Sequence, residues 1–198
     1  MLGGRPQGTR RYVHDVTFPE SPEDLAAVAV PFLRAGLAAG DAAVIAVTGD
    51  RGALLQDALD DDDRVVVLPP RGVYRRRTPT ALAAFRKLTQ ERTAAGFGGL
   101  RVVAETQFGD TPREWLEWQR YEAVVNRAFA SLPLWGLCVY DPHHLPDDVL
   151  ESGLRTHPGV LTAEGRTANA RFEAPADYLR GLPAVSYTHL TLPTNREV

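Results

Sequence analysis

The chain has 198 residues, of which 44% are hydrophobic and 24% are charged, a balance typical of one globular domain with its own core. Twenty-two Lys and Arg against 25 Asp and Glu leave a formal charge of −3, too even for non-specific binding to the phosphates of nucleic acid. The composition therefore excludes a large multidomain enzyme and disfavours nucleic acid as a direct partner.

Apolar runs of strand length alternate with segments of helical period along the chain. The runs lack the polar alternation of a sheet with one wet face, which is typical of strands covered on both sides. The predicted strands are 13–18, 42–47, 64–68, 100–104 and 134–140.

Helices are predicted between these strands. Ser21-Pro22 is a cap followed by proline at the first helical position, and Gly40 ends that helix. The other predicted helices are 52–59, 78–96, 111–131 and 147–154, of which 78–96 and 111–131 begin with Thr-Pro. The alternating order predicts right-handed crossovers and an α/β three-layer sandwich with a mainly parallel sheet.

The two ends of the chain are predicted to lie outside this domain, which spans residues 12–183. Residues 1–11 are expected to be disordered. Residues 184–198 resemble a translated sequencing adapter, so we expect a native C-terminal domain to be missing after about Pro183. The alternative is a genuine tail, in which Tyr187, Thr188 and Leu190 suit a strand.

Cysteine content and targeting signals bear on the compartment. The one cysteine, Cys138, excludes an internal disulfide framework and a zinc site of several cysteines. No apolar run approaches the ~20 residues that cross a bilayer, and the N-terminus lacks the apolar core of a signal peptide. We therefore predict a cytoplasmic protein that makes no membrane contact.

Polar residues follow several predicted strands, where ligands bind in open α/β sheets. Glu105 follows the fourth strand, and Tyr140 and Asp141 lie at the end of the fifth. The loop 48–52 after the second strand lacks the GxxxxGK[ST] spacing, which disfavours conventional ATP binding there. Asp50 in this loop is predicted to be a helix cap or turn residue.

Glu122 is predicted to lie in the middle of an apolar helix face, between Trp118 and Val125. Burying an unpaired carboxylate is costly, so this side chain needs a partner or a cavity. Asn126, one turn further on, adds an amide to the same place. The alternative is a structural ion pair of Glu122 with Arg101 or Arg127, or a position at the rim.

The histidines allow a metal site but do not favour one. His143, His144 and His157, with Asp141, are ligand types that suit zinc or iron, yet their spacing matches no established signature. We predict no metal and no cofactor. His157 is expected to be oriented by hydrogen bonds at a corner, and the thiol of Cys138 to be inert in its apolar strand.

Two charge runs remain. Residues 60–63 are four aspartates, predicted to be a solvated turn. Residues 75–77 are three arginines with Arg71 nearby, predicted to be surface charge or a docking loop for an acidic partner or a phosphate.

An ordered set of stretches resembles one family. The residues that carry the resemblance are His14, Ser21–Leu25, Pro31–Gly40, Ala104-Glu105, Glu117–Asn126, Leu137–Asp141 and Arg155–Pro158. Together they resemble the MEDS domain, the methanogen and methylotroph sensory domain of prokaryotic signalling proteins, over about Tyr12 to Tyr178. The nearest branch is the actinobacterial one, in which this domain precedes a histidine-kinase-like ATPase similar to anti-sigma regulators.

The resemblance implies a RecA- or KaiC-like fold without a working phosphate loop, and a role in sensing small organic molecules. The chain departs from this branch at Tyr121, where histidine is typical, at Val139, where proline is typical, and beside Glu105. At each of these three places the neighbouring acidic residue, Glu122, Asp141 or Glu105, is retained. His14 and His157 match the family pattern and are carried over as pocket residues.

The leading hypothesis is a non-catalytic sensory input domain that controls a C-terminal ATPase or anti-sigma module, with a sigma factor or an antagonist as a further partner. The predicted ligand crevice is bordered by His14, Glu105, Glu122, Asn126, Tyr140, Asp141 and His157. One alternative is an enzyme that uses Glu105 and Asp141 as an acid/base pair. The other is a protein interaction module without a ligand.

Overall fold

The computed structural model describes residues 11–59, 62–69 and 78–183. The predictions made for the N-terminal residues 1–10, for residues 60 and 61, for the arginines at 71 and 75–77, and for the tail 184–198 lie outside the described residues.

Seven strands and six helices alternate along the described part of the chain. Their bounds are β1 Val13–Thr17, α1 Pro22–Ala38, β2 Ala42–Ala46, α2 Gly49–Asp57, β3 Val65–Val67, α3 Thr78–Ala94, β4 Leu100–Glu105, α4 Pro112–Ala128, β5 Leu134–Val139, α5 Asp147–Thr156, β6 Gly159–Thr162, β7 Gly165–Ala168 and α6 Pro175–Gly181. The five predicted strands and five predicted helices are all confirmed, with ends that shift by a few residues.

The strands form one sheet in the order β3-β2-β4-β5-β1-β6-β7. All neighbouring strands pair in parallel except β6 and β7, which form an antiparallel hairpin. With helices on both sides of the sheet, the predicted α/β three-layer sandwich is confirmed. The hairpin and α6 were not predicted.

Local sequence explains where the two best-defined helices begin. Ser21 accepts a hydrogen bond from the backbone N–H of Asp24 at the start of α1. Thr111 and Glu114 form a reciprocal capping box at the start of α4. In both helices the proline after the cap has no N–H that would need a partner.

Two apolar layers enclose the sheet. One layer joins the sheet to α1 and α2 through side chains such as Leu33, Leu55 and Leu137. The other joins it to α3, α4 and α5 through side chains such as Phe85, Val125 and Val149. We call these the first and second faces of the sheet. Because side chains alternate along a strand, neighbouring residues of β5 belong to opposite faces.

Arg101 lies on the first face and is almost fully buried. Its Nη1 donates to the carbonyl oxygen of Phe32 at 3.0 Å, and its Nε lies 3.6 Å from a carboxylate oxygen of Asp41. The guanidinium also lies over the ring of Trp135, 4.6 Å from the ring centre. The suggested ion pair between Arg101 and Glu122 is therefore wrong, since Glu122 packs on the second face.

None of the helices described is both long and apolar enough to cross a membrane.

Candidate functional site

Four chemically active side chains meet inside the second face of the sheet. They are His14 of β1, Glu122 of α4, Cys138 of β5 and His157, which directly follows α5. All four are buried, and one nitrogen, oxygen or sulfur atom from each lies within 4.8 Å of the others. We call these four residues the buried cluster.

The fold brings these residues together from distant parts of the sequence. Strands β1 and β5 are parallel neighbours in which Val16 pairs with Cys138. His14 therefore lies two residues along β1 on the same face as Cys138. Glu122 reaches this face from the apolar stripe of α4, where Trp118 and Val125 also pack.

The closest contacts of the buried cluster converge on one carboxylate oxygen. Oε2 of Glu122 lies 3.3 Å from Nε2 of His14, 3.6 Å from Nε2 of His157 and 3.9 Å from Sγ of Cys138. Nε2 of His14 is also 3.3 Å from the same sulfur. The two imidazole rings pack with their centres 3.8 Å apart.

Hydrogen bonds at the far side of each ring fix the histidine tautomers. Nδ1 of His157 lies 2.8 Å from the carbonyl oxygen of Gly153, which only accepts, so this nitrogen carries a proton. Nδ1 of His14 lies 3.2 Å from Oδ1 of Asn126 and donates to it. In the neutral rings, both Nε2 atoms therefore present lone pairs to the centre of the buried cluster.

Burial sets the charge state of the buried cluster. Burial lowers the pKa of His14 to about 4 and, together with the neighbouring His14, lowers the pKa of His157 to about 3. Burial raises the pKa of Glu122 and raises that of Cys138 well above its ordinary value. Neutral imidazoles and a protonated thiol are thus the favoured forms, and burial shifts Glu122 towards its neutral carboxyl form.

Thr106 and Tyr140 complete the surroundings of the buried cluster. The hydroxyl of Thr106 donates to Oε1 of Glu122 at 2.8 Å. Tyr140 is fully buried and meets the ring of His157 edge to face, with ring centres 5.6 Å apart. Tyr140, one of the residues of the predicted crevice, therefore lies beside His157.

Glu105 and Asp141 lie apart from the buried cluster. Nη1 of Arg51 in α2 lies 2.8 Å from Oδ2 of Asp141 and 3.6 Å from Oε1 of Glu105, while Thr48 donates to Glu105 at 3.1 Å. These contacts place the two acids on the first face, at the carboxyl ends of β4 and β5. We call Glu105, Asp141 and Arg51 the rim group. The fold does not build the single crevice that was predicted, because strand alternation separates the rim group from the buried cluster.

The rim group is organised as an ion-pair network. Burial alone would raise the pKa of Asp141, but hydrogen bonds from the His143 N–H and His144, with the charge of Arg51, outweigh it and lower that pKa. A carboxylate held ionised in this way is poorly suited to act as a general acid. His143, through its backbone N–H, and His144, through Nδ1, both contact the carboxylate of Asp141. His157 lies in the buried cluster and does not join them.

A large apolar groove of about 1010 Å³ opens beside the buried cluster. Its walls include His14 and Asn126 as the link to the interior, and Val124, Pro158, Phe172 and Leu179 among the apolar residues. Among the described residues, the charged side chains in the walls are those of Arg127 and Arg166, and no acidic side chain lines the groove. A second, small cavity of about 30 Å³ lies deeper, against His14, Glu122 and Cys138.

Sequence reasoning brought together His14, Glu122, Asn126, Tyr140 and His157, but it did not include Cys138 among the site residues. The thiol was set aside because it lies in an apolar strand, and its raised pKa agrees with an unreactive thiol. The feature that could have indicated Cys138 is the pairing of β1 with β5. This pairing places the imidazole of His14 and the thiol of Cys138 on the same face of the sheet, two residues apart. The groove depends on α6 and on the segment before it, which no sequence pattern indicated.

The fold and the buried cluster define an α/β domain with a polar interior next to an apolar groove, an arrangement that suits recognition of a small molecule. Residues 13–158 match the family model described as MEDS, the MEthanogen/methylotroph, DcmR Sensory domain. The chain therefore belongs to the MEDS family of sensory domains. No curated protein matches the chain significantly.

Proposed function

We propose that the chain is a non-catalytic, cytoplasmic input domain that binds a small organic molecule in the apolar groove and thereby controls a C-terminal histidine-kinase-like ATPase or anti-sigma module. The observation that carries this proposal is the groove itself. Its volume lies at the upper end of the range of small-molecule sites, its lining is mostly apolar, and His14 and Asn126 border it on the side of the buried cluster.

The charges in the groove indicate the chemistry of the ligand. Arg127 and Arg166 lie in its walls, and Arg166 is paired with the buried Asp15. A ligand with an apolar body and one carboxylate or carbonyl acceptor would match these walls. Arg127 would then orient the polar end of the ligand, since the polar atoms of His14 and Asn126 are already engaged with each other, the buried cluster and backbone carbonyls.

Control of a partner requires that the ligand favour one of two arrangements of the domain. Helix α6 supplies part of the groove wall through Ala176 and Leu179, and its Tyr178 donates to Ser152 of α5 at 2.7 Å. In the proposal, a bound ligand shifts α6 against α5, and this shift reaches the output module that follows.

The test is a thermal-shift screen of the chain against small apolar carboxylates, ketones, alcohols and amides. We expect a subset to raise the Tm, and we expect Ala176→Trp, which fills the groove from an exposed wall position, to abolish this rise. Ala94→Trp, an exposed position in α3, is the matched control and should keep the response. A response that survives Ala176→Trp unchanged would place the ligand elsewhere and overturn the proposal.

A further inference from the structure

The centre of the buried cluster contains more hydrogen-bond acceptors than donors. Nε2 of His14 and Nε2 of His157 both present lone pairs, and Oε2 of Glu122 faces both of them. Nε2 of His157 has no hydrogen-bond partner among the described residues, although its side chain is fully buried. A buried nitrogen without a partner is costly and requires an explanation.

Either protons or a cation between these atoms would give the buried lone pairs a partner. The protons of a neutral Glu122 carboxyl and of the Cys138 thiol are enough in number for the two imidazole nitrogens, but Nε2 of His157 lies 3.6 Å from Oε2 of Glu122, too far for a hydrogen bond. A metal ion at the centre would instead bond to all four atoms at once. It would replace both protons, since a thiolate and a carboxylate are the metal-binding forms.

We propose that the buried cluster is a metal site that binds one divalent transition-metal ion of the Zn²⁺ type through Nε2 of His14, Oε2 of Glu122, Sγ of Cys138 and Nε2 of His157. Two imidazoles, a thiolate and a carboxylate are donors that suit Zn²⁺ and disfavour Mg²⁺ and Ca²⁺, which take oxygen ligands. The two anionic ligands cancel the charge of the ion. The buried site is therefore neutral as a whole, which limits the cost of burying charge.

The distances agree with a tetrahedral site. Metal bonds of about 2.0 to 2.3 Å at tetrahedral angles separate neighbouring donor atoms by about 3.3 to 3.6 Å. The contacts of His14 with Glu122, of His14 with Cys138 and of His157 with Glu122 are 3.3, 3.3 and 3.6 Å. Cys138 lies 3.9 Å from Glu122, and the two remaining pairs of donor atoms lie within 4.8 Å, so binding of the metal would draw these side chains slightly closer.

Each proposed ligand except the thiol is held by a second residue in the way that metal ligands usually are. Asn126 and the carbonyl of Gly153 accept from the Nδ1 atoms of the two histidines, which leaves each Nε2 free to bind. Thr106 donates to the other oxygen of Glu122. These contacts orient the ligands before a metal arrives.

This site is independent of the proposed ligand groove, although both include His14. Metal binding is measured without any organic molecule, so its failure would leave the proposed function untouched. Failure of the ligand screen would equally leave the metal site untouched.

Cobalt(II) titration of the chelator-treated wild-type chain is the direct test. Because Cys138 is the one cysteine of the chain, thiolate-to-cobalt charge transfer in the near ultraviolet reports on this site without any mutation. We expect this band and tetrahedral d–d bands to saturate at one Co²⁺ per chain, and Zn²⁺ to displace the Co²⁺. Zn²⁺ at about a hundredfold excess over its Kd should raise the Tm by about 5 to 10 °C.

Variants locate the ligands. Cys138→Ser should abolish the charge-transfer band, and Glu122→Gln, which keeps the size of the side chain, should weaken Co²⁺ binding at least tenfold. The double variant His143→Ala/His144→Ala removes two histidines outside the buried cluster and should bind as the wild type does. A wild-type spectrum without the thiolate band, or unchanged binding in Glu122→Gln, would overturn the proposal, and so would lost binding in the double histidine variant.

Discussion

Asn126 fixes the orientation of His14. The amide nitrogen of Asn126 donates to the carbonyl oxygens of Thr156, at 2.8 Å, and Glu122, at 3.2 Å. Its oxygen is thereby turned towards Nδ1 of His14, 3.2 Å away. One amide thus connects α4, the end of α5 and the first strand, and it determines which nitrogen of His14 faces the interior.

Replacing this amide should destabilise the domain. Asn126→Ala leaves Nδ1 of His14 and the carbonyl of Thr156 without these partners, so we expect the free energy of unfolding to fall by about 1 to 3 kcal/mol. Chemical denaturation at pH 7 measures the change. Gln90→Ala, an exposed amide in α3, is the control and should change stability by less than about 0.5 kcal/mol. Equal effects of the two substitutions would contradict the role given to Asn126.

The buried histidines predict loss of stability in mild acid. Both have pKa values lowered from the ordinary 6.5, to about 4 for His14 and about 3 for His157. The unfolded chain therefore binds protons below pH 6.5 that the folded chain does not. Their stabilisation is present above pH 6.5 and is lost as the pH falls towards 4 and 3.

Between pH 7 and pH 5, each histidine should remove about 2 kcal/mol from the free energy of unfolding. Glu122 acts in the opposite sense, since a raised carboxyl pKa stabilises the fold as the pH falls. We therefore expect a net loss of about 2 to 4 kcal/mol in denaturation experiments on the metal-free chain. His143→Ala should retain the pH dependence, and a wild-type stability that is flat from pH 7 to pH 5 would show that the two imidazoles are not buried in neutral form.

Gly153 is needed because Tyr140 packs against it. A Cβ atom built on Gly153 would lie 2.9 Å from Cε1 and 3.0 Å from Cδ1 of the fully buried Tyr140 ring. Gly153→Ala should cost about 1 to 3 kcal/mol through overpacking, despite the better helix propensity of alanine. Gly181→Ala in α6 meets its nearest atom at an ordinary 3.8 Å and serves as the control. A Gly153→Ala chain as stable as the wild type would mean that the ring moves freely, contrary to the packing described.

Separation of the rim group from the buried cluster predicts separate mutational effects. Asp141→Asn removes the charge that Arg51 and His144 contact, so we expect a loss of stability of about 1 to 3 kcal/mol. Ligand-induced Tm shifts and Co²⁺ spectra should be unchanged, because the buried cluster lies on the other face of the sheet. If Asp141→Asn abolished either response, the two groups would have to be treated as one site.

The sequence predicted the parallel core of the fold well, for identifiable reasons. Strands such as β2 and β5 are uninterrupted apolar runs because both of their faces are covered, and α1 and α4 carry cap residues followed by proline. The β6–β7 hairpin was missed because its strands have four residues each, and β7 is mostly exposed, so neither shows an apolar run. Helix α6 has seven residues and only one buried side chain, Tyr178.

The site was predicted in part. Glu122 stood out as an acid on an apolar stripe, and this signal was correct because burial of a carboxylate always needs compensation. Which faces the strand-end residues occupy could not be read from spacing alone. Glu105 and Thr106 are adjacent in sequence yet contact different clusters, Glu105 through Arg51 and Thr106 through Glu122. Only the register of the strands, in which Glu105 pairs with Val139, shows which face of the sheet each of the two side chains occupies.

The central claim is that His14 and His157 are neutral and present their Nε2 lone pairs to a shared interior point. Nitrogen-15 NMR of histidine-labelled, metal-free chain measures this directly, because protonated and unprotonated ring nitrogens have well-separated shifts. We predict two histidines that carry the proton on Nδ1 and do not titrate between pH 8 and about pH 5. Finding that either ring carries its proton on Nε2, or titrates near pH 6.5, would contradict the account.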